Sequence, residues 1–285
     1  MASSRLAFGL ALAAASFLVA GHGRADDAPP AAPRSAVSGS VTSGPTVVFP
    51  YRQRRLLYSR NARGGLAYVT SGATHGATLP VVVFLHGMNP DGLVHPWFGP
   101  PYGDLRPVLE SLVASGKVAQ LVLAAPTHTR YATGATVMWP QFDIEDFLDA
   151  TDVALGDLAK TDRTRVIVVG HSAAGCNVAG GIFTESVRRA KPIALVDVDG
   201  CVDAGTTALL TQASASTTVH FFWQHTWVRP MSELESACPA CKLQEITDLP
   251  AGTSPHAAIL PEAIRRVLPE LLPRQDAEPR YGTTL

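Results

Sequence analysis

The chain has 285 residues, 46% of them hydrophobic and 16% charged, with a formal net charge of −1. That length is enough for one large α/β domain or two small ones, with ample chain to bury a core. The near-neutral balance gives no basic footprint for nucleic acid and no strong field for a charged partner.

Residues 1–25 read as a secretory signal peptide. Arg5 supplies a positive start, Leu6 to Ala20 is an apolar run, and Gly23-Arg24-Ala25 puts small residues before a cleavage point after Ala25. The run is short for a spanning helix and no other segment reaches that length, so no membrane span is expected. No cysteine lies near the cleavage point to carry a lipid, and a single arginine before the apolar core speaks against a twin-arginine signal. Without Arg5 and Arg24, 21 basic side chains face 24 acidic ones, a charge near −3. The expected location is secreted or periplasmic. Residues 26–45 are rich in Pro, Ala and Ser without periodicity and read as a flexible leader.

Strand-like segments follow at Thr46–Phe49 and Leu66–Thr70. The apolar run from Pro80 to Leu85 reads as a strand buried on both faces, and it leads directly into His86-Gly87-Met88-Asn89. From Leu105, the apolar residues Val108, Leu109, Leu112 and Val113 recur at helical spacing. Leu121–Ala125 reads as another buried strand. Asp143 is placed to cap a helix whose apolar face holds Ile144, Phe147, Leu148, Ala154, Leu155 and Leu158. A strand over Arg165–Val169 comes next, then a helix expected through about Arg189. Ile193–Asp199, Thr217–Trp223 and Leu243–Thr247 read as strands. A helix from about His256 to Leu272 precedes a charged tail at 273–285. Strands alternating with helices predict an α/β fold, a mostly parallel central sheet flanked by helices on both faces, in one domain over 46–272.

The four β-branched residues Val166 to Val169 stop at Gly170-His171-Ser172, and small residues follow at Ala173, Ala174, Gly175, Ala179 and Gly180. A serine at a sharp strand-to-helix turn needs such neighbours, because helix and strand must approach closely around a strained residue. The stretch resembles the nucleophile elbow of the α/β-hydrolase family, Gly-x-Ser-x-Gly, except that Ala174 stands at the second Gly position and Gly175 follows it. The resemblance covers nearly all of the chain after the signal sequence, and it implies a triad in the order Ser, acid, His. Ser172 is then the nucleophile. His256 lies in Gly252-Thr253-Ser254-Pro255-His256, a loop of small residues before the last helix, and similar Gly-x-x-x-His loops close the triad in this family.

The acid is less evident. The commonest family position follows the strand ending near Trp223, but no aspartate lies between Asp203 and Asp248. Some members carry the acid one strand earlier, where Val196-Asp197-Val198-Asp199-Gly200 ends. Asp199 at the strand end is the choice. Asp197, two residues deeper, is expected to be a buried structural carboxylate, and Asp203 and Glu233 remain alternatives. The resemblance also implies an oxyanion hole from the backbone N–H groups of Ala173 and Met88. His86 and His171 are expected to be structural.

All four tryptophans, Trp97, Trp139, Trp223 and Trp227, fall near expected carboxyl ends of strands and suggest an aromatic-walled cleft for an apolar acyl or aryl group. Four cysteines in an exported chain permit two disulfides. Cys238 and Cys241 are spaced for a local bridge, and Cys176 with Cys201 would tie the helix after Ser172 to the acid loop. The CxxC could instead be redox-active or bind zinc, but it does not begin a helix after an early strand and lacks a second ligand pair. The function expected is a secreted serine hydrolase of a small or polymeric carboxylic ester, needing no metal or cofactor. An amidase or peptidase with the same triad, or a catalytically silent binding protein, are the alternatives.

Overall fold

Val81, Val83 and Leu85 point into one core and Val82 and Phe84 into another, and this two-residue alternation divides the molecule into layers. A computed structural model of the chain describes residues 43–51, 64–128 and 139–274, all within one unit spanning Val41–Leu285. The expected signal sequence, most of the leader and most of the tail lie outside the described residues.

The first half carries β1 (Thr46–Phe49), β2 (Gly65–Val69), β3 (Ala77–Leu85), the short pair β4 (Phe98–Gly99) and β5 (Gly103–Asp104), α1 (Arg106–Ala114) and β6 (Val122–Pro126). Then come α2 (Ile144–Leu155), β7 (Ala159–His171), α3 (Glu185–Ala190), β8 (Ala194–Val198) and α4 (Ala204–Ser214). The chain continues through β9 (Thr218–Trp223), α5 (Met231–Ala237), β10 (Lys242–Glu245) and α6 (Pro255–Leu271).

Eight strands form one sheet in the order β1-β2-β6-β3-β7-β8-β9-β10. β1 pairs antiparallel with β2 and β2 antiparallel with β6, while every later neighbour is parallel. On one face Ile144, Phe147 and Leu148 of α2, Val187 of α3, Leu210 of α4 and Leu234 of α5 cover Val81, Val83, Val168, Leu195 and Phe221. On the other, α1 and α6 cover Val82, Phe84, Ile167, Val169 and Val196. The mostly parallel sheet with helices on both faces is therefore as the sequence predicts. Parallel strands covered on both sides have no polar face, which is why β3 and β7 read as continuous apolar runs.

Three boundaries differ. β7 is longer than the sequence suggests, because Ala159–Asp162 first pair with Ala77–Pro80 before the register shifts between Pro80 and Val81. α2 ends at Leu155, where Gly156 takes φ +53°. The third difference concerns the segment after Ser172, for which the sequence predicts a helix through Arg189. Ser172–Gly175 form a single 3₁₀ turn instead, Gly181–Phe183 form another, and the α-helix begins only at Glu185. Cys176 is bonded to Cys201, and Gly181 turns left-handed at φ +55° while its N–H donates to the Trp139 carbonyl at 3.1 Å. A covalent tie and a left-handed residue within one segment leave no room for continuous i→i−4 bonding.

A Cβ at Gly181 would also collide with the Ala174 carbonyl oxygen. Gly72 has a similar φ of +75°, but a Cβ there would make only an ordinary contact, 3.8 Å from Gln120 Nε2. Gly72→Ala should cost about 1 kcal/mol of conformational strain, whereas Gly181→Ala, adding backbone overlap, should cost roughly 3 kcal/mol or more. Urea denaturation of the two variants measures the difference, and equal losses would mean the contact around the serine turn yields easily.

Candidate active site

β7 and β8 are parallel neighbours, and each is followed immediately by a left-handed residue: Ser172 at φ +56° and Asp199 at φ +56°. Open parallel sheets bind ligands outside the carboxyl ends of their strands, so both side chains stand on the functional edge. Space for the serine turn is made by missing side chains. A Cβ at Gly170 would meet the Ile182 methyl, and one at Gly87 would stand 2.7 Å from Ser172 Cβ and 3.1 Å from its Oγ.

Gly87 belongs to the loop after β3, and that loop is fixed from within. The His86 Nδ1–H donates to the Gly87 carbonyl at 2.7 Å, and Nε2 accepts from the His128 N–H at 3.0 Å. Trp139 Nε1–H donates to the His86 carbonyl at 2.8 Å. Burial pushes the His86 imidazole down to about 3, so it is a neutral strut. Met88, next along, is exposed, and its side chain borders the same cavity as Ser172.

His256 sits in the first turn of α6, entered through Ser254-Pro255. Its Nδ1–H donates to Asp199 Oδ2 at 2.5 Å. Asp199 is buried and held at several points. Gln224 Nε2 donates to Oδ2 at 3.1 Å, and Arg229 Nη2 donates to Oδ1 at 2.6 Å. Burial by itself would raise the Asp199 carboxyl, but the His256 hydrogen bond, the Arg229 charge and Gln224 outweigh it and hold the carboxyl below its ordinary range. Asp199 is thus an ionised acceptor at neutral pH. With Nδ1 engaged, Nε2 is the nitrogen left for proton transfer.

Ser172 and His256 line one cavity of about 650 Å³. It is lined by His86, Gly87, His171, Thr253 and Ser254, and by the apolar group Pro90, Pro96, Trp97, Pro101 and Tyr102, with the Trp97 and Tyr102 rings stacked at 6.0 Å and 27°. Among the described residues no lysine, arginine, aspartate or glutamate lines it. Among the described residues the Ser172 hydroxyl has no hydrogen bond to His256. In unliganded sites such bonds are often long and tighten only around substrate.

The structure separates the expected site residues into two groups. Ser172, Met88, His256 and Trp97 line the cavity, with Ala173 buried beside the serine, and Asp199 backs His256. Trp139 and Trp223 do not wall the cleft. Trp139 is fully buried, its indole N–H spent on His86, and Trp223 packs with Phe221 against the core beneath α4 and α5. A position near a strand end does not say which way the ring turns. Trp227 lies on His256, with centroids 4.4 Å apart, rather than in the cavity lining. Asp203 caps α4 in a reciprocal capping box, and Glu233 is exposed on α5, so neither approaches His256. Cys176 pairs with Cys201 and Cys238 with Cys241. Sequence reasoning missed Gln224, Arg229 and Tyr102. For Gln224 a signal existed, since it is the first residue past β9, but it is not the carboxylate that the commonest family position implies. Arg229 had none.

No family model matches the chain, and no curated protein matches its sequence. Its architecture does match solved structures. A mutant of the feruloyl esterase module from Clostridium thermocellum, complexed with sinapinate, superposes with a TM-score of 0.59 at 11% identity, covering 88% of this chain and 95% of the other. Esterases from Rhizomucor miehei (TM-score 0.43, 13% identity, 81% and 85% covered) and Est1E from Butyrivibrio proteoclasticus (0.41, 13%, 81% and 99%) are more distant. At such identities the likeness concerns the fold, and the fold is that of the α/β hydrolases.

Asp197 lies beneath this site, fully buried, its carboxyl pressed where a Cβ would stand on both Gly175 and Gly200. Neither oxygen has a well-formed hydrogen bond. Burial pushes it well above the ordinary value of 3.8, against the Arg229 charge, so it stays protonated as a neutral filler. The folded protein then holds a proton that the unfolded chain releases above that ordinary value, and stability must fall as pH rises from there toward the raised folded value. Asp197→Asn removes the proton. As pH rises above the ordinary carboxylate range the variant should gain on wild type, by at most ~1.4 kcal/mol per pH unit. Chemical denaturation at several pH values measures it, and two parallel curves would mean Asp197 is ionised in the fold.

Proposed function

We propose that the chain is an exported serine hydrolase that cleaves a carboxylic ester through an acyl-enzyme. The observation that carries this reading is Ser172, held left-handed at a strand end, sharing one uncharged cavity with a His256 whose Nδ1 is bonded to a buried, ionised Asp199. In this reading Ser172 Oγ attacks the ester carbonyl while His256 Nε2 takes its proton. Asp199 keeps the imidazole in the tautomer with Nδ1–H and stabilises the cation that forms. The backbone N–H groups of Ala173 and Met88 are the proposed donors to the oxyanion, and the alcohol leaves with the proton from Nε2. Water then enters by the same route, releasing the acid and restoring Ser172.

The cavity suits a neutral substrate. Among the described residues no lysine, arginine, aspartate or glutamate lines it to pair with an ionic group, and Trp97, Tyr102 and three prolines offer apolar surface to an acyl or aryl moiety. A fold neighbour is described as a feruloyl esterase complexed with sinapinate, and an aromatic acyl group of that kind fits such a wall. Export is supported by the signal-like residues 1–25 and by the pairing of all four cysteines, which oxidising compartments favour. Among the described residues no helix is long and apolar enough to cross a membrane.

Incubation with a fluorophosphonate probe should label wild type at Ser172 and leave Ser172→Ala unlabelled but folded. p-Nitrophenyl esters should turn over while the matching anilides do not. Asp199→Asn should lower kcat on the order of 10⁴-fold, as loss of the orienting carboxylate does in the best-studied triad. Asp203→Asn and Glu233→Gln should each stay within roughly tenfold of wild type, since exposed or capping carboxylates do not reach the imidazole. A large loss at Glu233 with Asp199→Asn near normal would reassign the acid.

A further inference from the structure

The loop from Gln224 to Pro230 is tied to the Asp199 turn by two side chains, Gln224 through its one bond to Asp199 Oδ2 and Arg229 through several. Arg229 Nε donates to the Gly200 carbonyl at 3.1 Å, Nη2 to the Asp199 carbonyl at 3.3 Å and to Asp199 Oδ1 at 2.6 Å, and Nη1 to the Gln224 carbonyl at 3.5 Å. Its side chain is only 6% exposed although the loop is at the surface. From the same loop Trp227 packs on His256 with ring centroids 4.4 Å apart and planes 34° apart, and the Arg229 guanidinium lies 5.0 Å from the indole centroid. His171 stacks on His256 as well, at 4.6 Å and 26°, while its Nε2–H donates to the His256 carbonyl at 2.9 Å. Two rings so nearly parallel to the imidazole cannot share one face at these distances. His256 is therefore covered on both faces by rings and held along its Nδ1 edge by Asp199.

We propose that Arg229 and Trp227 are positioning residues: Arg229 locks the loop after β9 onto the Asp199 turn, and the loop presses Trp227 onto His256 so that the imidazole keeps one orientation. This rests on His256 being the base of the proposed ester hydrolase, and it changes the role of Trp227 from a wall for substrate to a wall for the base. It also gives Arg229 an electrostatic part. The charged and titratable groups around His256 are Asp199 and Asp197 from β8 and its turn, His171 from β7, Arg229 from the loop and His86 across the cavity. His171 is pushed down to about 3 by burial and Asp197 is held neutral, so Asp199 and Arg229 are the opposed charges acting on the imidazole.

The test compares wild type with Arg229→Met, Arg229→Lys, Trp227→Ala and Trp227→Phe, using p-nitrophenyl ester hydrolysis across pH and proton NMR of the His256 Nδ1–H, assigned by its loss in His256→Gln. Trp227→Ala should lower kcat about tenfold with KM within about twofold, and Trp227→Phe should recover most of the loss, because orientation and not substrate affinity is affected. Arg229→Met should lower kcat with KM within about twofold, because the loop no longer holds Trp227 on His256, and Arg229→Lys, keeping the charge but not the forked hydrogen bonds, should recover only part of the loss. The downfield proton, sharp in wild type, should be broadened by solvent exchange in Trp227→Ala and Arg229→Met. A raised KM with unchanged kcat in Trp227→Ala would make it a substrate wall and overturn the proposal. So would a proton equally sharp in Trp227→Ala and Arg229→Met, and this second reading needs no turnover, so it stands even where a failure of fluorophosphonate labelling has removed the hydrolase assignment.

Discussion

The arrangement depends on two left-handed residues side by side. Ser172 and Asp199 each follow directly on a central parallel strand at φ +56°, a conformation that costs a non-glycine residue on the order of 1–3 kcal/mol. The chain holds both because their surroundings cannot relax. β7 and β8 are buried on both faces and in register from Ile167 with Ala194 to His171 with Val198. The turns beyond them are joined by the Cys176–Cys201 bond, so one cannot flatten without dragging the other. Strain at a strand end projects the side chain upward, clear of the sheet, where a reactive oxygen and a carboxylate are useful.

Between the turns sits Asp197, and its role is steric as much as electrostatic. Gly175 and Gly200 come so close to its carboxyl that neither could carry a side chain. The small residues after Ser172, which sequence patterning attributes to helix–strand contact, here accommodate a buried acid beneath a turn that never becomes a helix. A neutral carboxyl in that place spares the site a second negative charge beside Asp199.

The electrostatics of the site derive from which groups stay neutral. His86 and His171 are buried imidazoles that work as struts, His86 fixing backbone through both ring nitrogens and His171 through Nε2. Charge is concentrated in one buried pair, Asp199 with Arg229, and a buried carboxylate is tolerable only when so paired. Gln224 adds a third donor while its own Oε1 accepts from the Thr226 N–H at 2.7 Å, so the loop after β9 is organised around the acid even though it does not supply it.

The parallel sheet, its two helical layers, the serine turn after β7 and the histidine at the start of α6 were legible in the sequence because each depends on local chemistry. Runs such as Val166 to Val169 have no polar face to offer solvent, Asp143 caps the helix that begins at Ile144, and a serine flanked by Gly170 and Ala173 has few local alternatives. Much of what is set by meeting across distance lay beyond the sequence, although the Cys176–Cys201 pairing and the choice of Asp199 agree with the structure. Nothing local distinguishes Asp199 from Asp203 as a partner for His256; the first faces the histidine over the strand ends, while the second turns back to cap α4. Trp97 and Trp139 likewise come after similar strand ends, yet one walls the cavity and the other is spent on the His86 carbonyl. Arg229 was invisible, because a cation in a surface loop is ordinarily solvated, and only the folded chain brings it to a buried carboxylate 30 residues earlier. Side-chain direction and long-range pairing come from packing, and packing is a property of the whole fold.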